Sequence, residues 1–344
     1  MENVSHKLIR YKKLVEITLI LIVLFDRLLN HRFTIVSALV LCYFTADYLY
    51  YRINSYLDKK AADKILPKIS FKAIKKAEES NVTSFDERVR TRSGLERYLY
   101  LRRYARILDS IKKIRENSEE KTIKLLDIGS GYGNLDLDVA KINSIKVIGT
   151  DISCGKTMVA LGEAKAQDLD CEFVVCDAEK LPFLKDSFDI VVCSEVIEHV
   201  LRPRKLIDEI RYVLKSEGFI ILTTPNAHAI SYDTSPLVIA EKIISPYMES
   251  VLAPRHNIHA FDRREGDPKE HLIHRSFSRR ELKNLFKGWS SEFRTFHYGV
   301  HVYYLFKNEK ILEFFEHVFP KVPILKYLGC HWWVKARKSK EKNA

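Results

Sequence analysis

The chain has 344 residues, 46% of them hydrophobic and 30% charged, and a formal net charge of +12. That length exceeds one small domain and suits an α/β core with additions, while the composition excludes collagen, coiled coil and wholesale disorder. The positive excess favours nucleic acid, an anionic membrane surface or acidic substrates as partners.

At the N-terminus, Lys7, Arg10, Lys12 and Lys13 precede the apolar run Leu14 to Phe25. Asp26 and Arg27 interrupt it, Asn30-His31-Arg32 make a polar turn, and Phe33 to Tyr51 follows with Asp47 its only charge. A membrane span takes about 20 apolar residues. No small-residue cleavage site follows the first run, and basic residues flank both outer ends, the pattern of cytoplasm-facing termini. Residues 1–55 therefore read as a membrane-anchoring hydrophobic helical hairpin, with a buried hairpin of a soluble dimer as the other reading. Residues 56–120 read as a basic helical connector. Its clearest helix starts at Ser93-Gly94 and runs through Leu95 to Leu108, where apolar and cationic residues alternate at helical spacing.

From Ile123 onward strand and helix patterns alternate. Strands are expected over Ile123–Ile128, Lys146–Thr150, Glu172–Cys176, Phe188–Ser194 and Phe219–Thr224, and helices over Gly155–Ala166 and Arg204–Leu214, the latter stopped at Lys215-Ser216-Glu217-Gly218. Such alternation gives a parallel sheet with helices on both faces. Pro225 takes the chain out of the sheet, and a long segment, about 226–277, follows before Ser278-Arg279-Arg280-Glu281 opens a helix as a capping box. Loops of that length are uncommon unless functional, and this one holds His228, His256, His259, His271 and His274, so it reads as an acceptor lid. Last strands are expected near Phe293–Val302 and Trp332–Arg337; Ile311 to Leu328, rich in Phe and Leu, is either a second membrane-facing surface or packing. The main domain spans 121–338, and 339–344 is a frayed tail. The six cysteines (Cys42, Cys154, Cys171, Cys176, Cys193, Cys330) show no C-x-x-C spacing and read as reduced core thiols of a cytosolic domain.

The chemistry gathers around Leu125-Leu126-Asp127-Ile128-Gly129-Ser130-Gly131-Tyr132-Gly133. Glycines after a buried strand turn the backbone tightly and admit a ligand without Cβ interference. Asp151, about 20 residues on at the end of the second strand, is where a βαβ nucleotide site places the carboxylate for ribose hydroxyls.

These segments, with Cys176-Asp177-Ala178-Glu179-Lys180-Leu181-Pro182-Phe183, Asp186-Ser187-Phe188-Asp189-Ile190-Val191 and Glu195-Val196-Ile197-Glu198-His199-Val200, resemble class I S-adenosylmethionine-dependent methyltransferases over roughly Thr122 to Thr224. The resemblance implies a Rossmann-like, seven-stranded, mostly parallel sheet. It implies a cofactor set of Asp127, Gly129, Ser130, Gly131, Gly133, Asp151, Ile152, Asp177, Ala178 and Glu195. Asp127 would serve the methionine ammonium, Asp177 the adenine amino group, and Ala178 would lend a backbone N–H.

Glu195-x-x-Glu198-His199 is also similar to the cluster of ubiquinone-pathway O-methyltransferases and small-RNA 2′-O-methyltransferases. The resemblance implies His199 and Glu198 as catalytic candidates and Glu195, Glu198, His199 and His274 as a metal set, whose oxygen-rich ligation suits Mg2+. His271 competes with His274 for the last position, and His228 is a further candidate. The alternative leaves the metal out, with His199 contacting substrate or acting as base. Taken with the hairpin, these residues predict methyl transfer to a lipidic or lipid-linked acceptor, at oxygen, by an enzyme on the membrane with its catalytic domain facing the cytoplasm. The alternatives are an RNA 2′-O-methyltransferase, though no RNA-binding module is recognisable, and a small-molecule methyltransferase.

Overall fold

The computed structural model describes residues 69–79, 94–229, 258–260, 273–298 and 308–339 except 324, with isolated positions at 45, 60, 64–66, 300 and 303. The chain divides into two compact units. Residues 60–227, 257–295 and 331–344 form the larger. It contains α1 (Phe71–Glu79), α2 (Gly94–Glu116), β1 (Ile123–Ile128), α3 (Asn134–Ala140), β2 (Ile145–Asp151), α4 (Cys154–Ala166), β3 (Cys171–Val175), β4 (Phe188–Ser194), α5 (Pro203–Val213), β5 (Leu214–Pro225), β6 (Ile258–Ala260), β7 (Ile273–Arg275), α6 (Arg279–Leu285), most of β8 (Trp289–Phe296) and β9 (His331–Lys338).

Seven strands form one sheet in the order β3-β2-β1-β4-β5-β9-β8. The first five are parallel, and β9 runs antiparallel to β5. The expected seven-stranded, mostly parallel, Rossmann-like sheet with flanking helices is thus present. Strand order reverses between β1 and β4, so the crevice for a ligand opens at their carboxyl ends. The central strands are apolar on both faces because helices cover both: Leu125, Leu126, Ile190, Val191, Val192, Ile220 and Ile221 are fully buried. β6 and β7 form a separate antiparallel ribbon, pairing Ile258 with Arg275 and Ala260 with Ile273.

The smaller unit comprises 1–59, 228–256 and 296–330. Its described helix, α7 (Glu309–Val318), is capped by Asn308, whose side chain accepts from the Lys310 N–H at 3.0 Å. Phe315 stacks edge-on against Phe319 with ring centroids 4.7 Å apart.

Several expectations change. Among the described residues no helix is long and apolar enough to cross a membrane. α2 has the length, at 23 residues, but carries Arg97, Arg102, Arg103, Arg106, Lys112 and Lys113, and each charge at mid-bilayer costs several kcal/mol. The expected hairpin over 1–55 lies outside the described residues apart from Thr45. The readings built on it, of a membrane location, a membrane partner and a second membrane-facing surface at 311–328, are withdrawn. The expected helix stop at Gly218 is also wrong. α5 ends at Val213, and Leu214 goes directly into β5 opposite Phe188. Gly218 is instead needed for close strand approach, since a Cβ there would sit 3.0 Å from the Asp189 carbonyl oxygen. The strand expected over 293–302 lies at 289–296. Of the cysteines, Cys171 and Cys193 are buried as expected, whereas Cys154 is exposed at the start of α4. The capping box at Ser278 and Glu281 forms as its spacing predicts.

Candidate functional site

A cavity of about 500 Å³ opens at the carboxyl ends of β1, β2 and β4. Asp127, Gly129, Ser130, Gly131, Asp151, Ile152, Asp177, Ala178, Glu195, Glu198, His199 and His274 all line it. Gly133, expected among them, does not. It adopts φ +75° ahead of α3, and a Cβ there would meet Ala160 and Phe173 at 2.9 Å, so its role is packing. Gly129 is closed in likewise by Val196, 2.2 Å from where its Cβ would stand. Gly131, at φ +56°, has nothing within 4 Å of that position. It leaves open the cradle that a bound cofactor would fill.

The carboxylate at the end of β2 is organised by backbone. Asp151 accepts from Gly131 N–H at 3.0 Å and Ser153 N–H at 2.8 Å, one bond per oxygen, which leaves lone pairs on both for two vicinal hydroxyls. Burial pushes its pKa up, against the pull of the Lys156 ammonium and these two N–H groups. Lys156 is itself buried and pairs with Glu78 of α1 at 2.7 Å. The neighbouring Glu79 accepts from Cys154 N–H (2.6 Å) and Gly155 N–H (3.1 Å) and so caps α4. Sequence reasoning missed both glutamates, because no local signal links positions some 75 residues apart.

At the end of β1, Asp127 is buried together with Asp136 of α3. Burial and then the neighbouring carboxylate push Asp127 well up, and Asp136 rises to about 7, burial again leading. Gly149 leaves room here, since a Cβ would lie 2.9 Å from Asp136 Oδ1 and 2.7 Å from the Phe173 ring. The inner face of α2 reaches the same loop. Asn134 Nδ2 donates to Tyr100 Oη at 3.0 Å, and Tyr104 Oη bonds Asp138 Oδ2 at 2.5 Å. At the adenine end Asp177 Oδ1 accepts the Glu179 N–H at 2.8 Å.

The turn after β4 carries Glu195, Glu198 and His199. Glu195 sits at φ +57°, a left-handed conformation that side chains rarely adopt and that recurs at functional sites. Its carboxylate lies 3.4 Å from Arg103, 3.3 Å from His331 Nε2 and 2.8 Å from Thr223 Oγ1. Burial alone would raise its pKa, but the charges of Arg103 and His331 outweigh that and hold it well below the usual range. Glu198 shows the opposite balance. It is 1% exposed, accepts from Thr224 Oγ1 at 3.0 Å, and is pushed well up by burial and then by Glu195. His199 Nδ1 lies 2.7 Å from the Ile273 carbonyl oxygen and Nε2 3.9 Å from Glu198 Oε1. The His274 ring stands 5.4 Å from that of His199. Arg103 and His331 were not anticipated, since each lies far along the chain from residue 195.

These engagements bear on the expected Mg2+ set. Among the described residues no three His, Cys, Asp or Glu side chains converge so as to hold a metal ion. Glu195 is engaged by Arg103, His331 and Thr223, and Glu198, whose pKa burial and then the Glu195 charge push well up, is bonded by Thr224. Of the other lid histidines, His228 is buried in the smaller unit, His259 lies in β6, and His256 and His271 are outside the described residues.

Glu198 makes stability depend on pH in a defined direction. Its folded pKa lies above the ordinary value of 4.5, so between that value and the raised one the folded state binds the extra proton and stability falls as pH rises. Glu198→Gln removes the titration while keeping an acceptor for Thr224. Its melting temperature is expected to exceed that of wild type at about pH 8 and to match it near pH 5, as thermal denaturation at the two pH values would read.

Residues 126–222 match the family described as a methyltransferase domain. The chain is similar to the ajmaline N-methyltransferase of Rauvolfia serpentina, at 34% identity over 139 residues that cover 40% of this chain and 45% of that one. It is similar to a ubiquinone biosynthesis O-methyltransferase of Glaesserella parasuis, at 34% over 114 residues, 32% of this chain and 48% of that one. A demethylmenaquinone methyltransferase of Clavibacter sepedonicus matches at 33% over 129 residues, 37% and 49%. The chain thus spans about half the length of the curated relatives it matches. Residues 126–222 thus match a methyltransferase domain and lie within a Rossmann-like sheet with flanking helices. The membrane-held acceptor is not upheld: no helix among the described residues is long and apolar enough to cross a membrane.

Proposed function

We propose that this S-adenosylmethionine-dependent methyltransferase methylates a small organic molecule, in preference to a polynucleotide, at an ionisable oxygen or nitrogen. The observation that carries the reading is the placement of His199 in the same cavity as the glycine loop and Asp151.

When bound, S-adenosylmethionine supplies a methyl group already made electrophilic by its sulfonium. The residues of this chain then have three tasks. Asp151, pre-oriented by Gly131 and Ser153 N–H groups, accepts from both ribose hydroxyls, and Asp177 and Ala178 hold the adenine edge. The glycine loop and Asp127 hold the methionine part. His199 takes the proton from the acceptor O–H or N–H as the new bond to carbon forms and the carbon–sulfur bond breaks, so that S-adenosylhomocysteine leaves neutral. Mg2+ enters none of these steps.

The similarity to both an N- and an O-methyltransferase supports an acceptor with either atom. The test is incubation of the full chain with methyl-labelled S-adenosylmethionine and panels of phenols, quinols, alkaloid amines and RNA, with and without chelator. Label is expected in a small-molecule fraction and unchanged by chelator. Label in RNA alone, or loss of turnover on chelation restored by Mg2+, would overturn the reading.

A further inference from the structure

β7 presents three successive groups to the turn that follows β4. The Ile273 carbonyl meets His199 Nδ1 at 2.7 Å. The His274 ring faces that of His199. Arg275, 8% exposed, donates from Nη1 to the Val200 carbonyl and from Nη2 to the Leu201 carbonyl, the latter at 3.2 Å. From the other side Glu179 accepts from the N–H groups of Leu201 at 2.7 Å and Arg202 at 3.0 Å. The backbone just after His199 is therefore gripped on its carbonyls by a cation from β7 and on its N–H groups by a carboxylate.

A peptide carbonyl has no proton to give. A contact of 2.7 Å with it is made only by an imidazole that carries its proton on Nδ1, and a neutral ring then has its lone pair on Nε2. Only that tautomer offers Nε2 as a base. Both partners of the bond ride on elements that Arg275 joins: His199 on the turn, Ile273 two residues from Arg275 on the strand. A guanidinium suits the task because its planar fork reaches two carbonyls at once and stays charged when buried.

We propose that Arg275 is a positioning residue for His199, fastening β7 to the turn so that the Ile273 carbonyl selects the Nδ1–H tautomer and Nε2 is presented to the acceptor. The proposal rests on the reading of His199 as the base.

The test is long-range ¹H–¹⁵N correlation of the imidazole rings in the full chain at about pH 8, where an ordinary histidine is neutral. The chain has 12 histidines, so the resonance is assigned by its loss in His199→Gln. Wild type is expected to show Nδ1–H for His199. Arg275→Met is expected to mix the tautomers and lower kcat about 10- to 100-fold with S-adenosylmethionine affinity within about twofold. Arg275→Lys, a single point of charge in place of a fork, is expected to fall between. An Nε2–H ring in wild type overturns the proposal whatever the variants do, as does a folded Arg275→Met with unchanged tautomer and kcat. Full activity in His199→Ala would sink the base reading alone, because the tautomer measurement does not depend on it.

Discussion

Asp151→Ala is expected to weaken S-adenosylmethionine binding about 100-fold or more, measured by calorimetry on the full chain. Each hydrogen bond from a ribose hydroxyl to a carboxylate is worth about 1.5–3 kcal/mol, and two are lost together, while 1.4 kcal/mol is tenfold in affinity. The loss has a second source. Asp151 accepts the Gly131 N–H, so its removal also takes away one bond of the glycine loop to the end of β2, leaving those of the Gly129 and Ser130 N–H groups to the Thr150 carbonyl. Asp151→Asn keeps the shape but leaves one oxygen to serve the Gly131 and Ser153 N–H groups and the ribose. It is expected to fall between wild type and alanine. Wild-type affinity in Asp151→Ala would remove the carboxylate from the cofactor site.

His199→Ala is expected to lower kcat by about 10²–10⁴, the usual worth of a positioned general base, with S-adenosylmethionine affinity within about threefold. Single-turnover transfer of labelled methyl to the best acceptor from the panel would read the chemical step directly. The effect should be largest for acceptors whose proton is hardest to lose and should shrink for a phenol already ionised at the assay pH. A loss equal for every acceptor would assign His199 to binding geometry instead of proton transfer. The cavity lining supports separate expectations for the two substitutions, since Asp151 lies at the end of β2 and His199 in the turn after β4.

Local chain logic determined much of this molecule. Continuous apolar runs placed β1, β4 and β5 to within a few residues, because a strand buried on both faces leaves that mark whatever surrounds it. The three glycines and the acid at the end of β2 announced the ligand loop, since tight turns and close backbone approach need residues without Cβ. Ser278 and Glu281 foretold their own capping box, a contact within one helical turn.

Tertiary structure decided the rest, for a reason that is the same each time: the deciding partner is distant in sequence. Glu195 and Glu198 look alike as a spaced pair of carboxylates. Arg103 and His331, more than ninety residues away on either side, pull the pKa of one well down, while burial and then the Glu195 charge push that of the other well up, against the Thr224 hydrogen bond. Gly218 looked like a helix stop until its close approach to the Asp189 backbone placed it inside β5. The sequence alone therefore determined the sheet and the glycine-bearing turn after β1. Only the folded structure decided what surrounds the two carboxylates, Arg103 and His331 against Glu195 and Thr224 against Glu198, and that Arg275 binds the carbonyls just after His199.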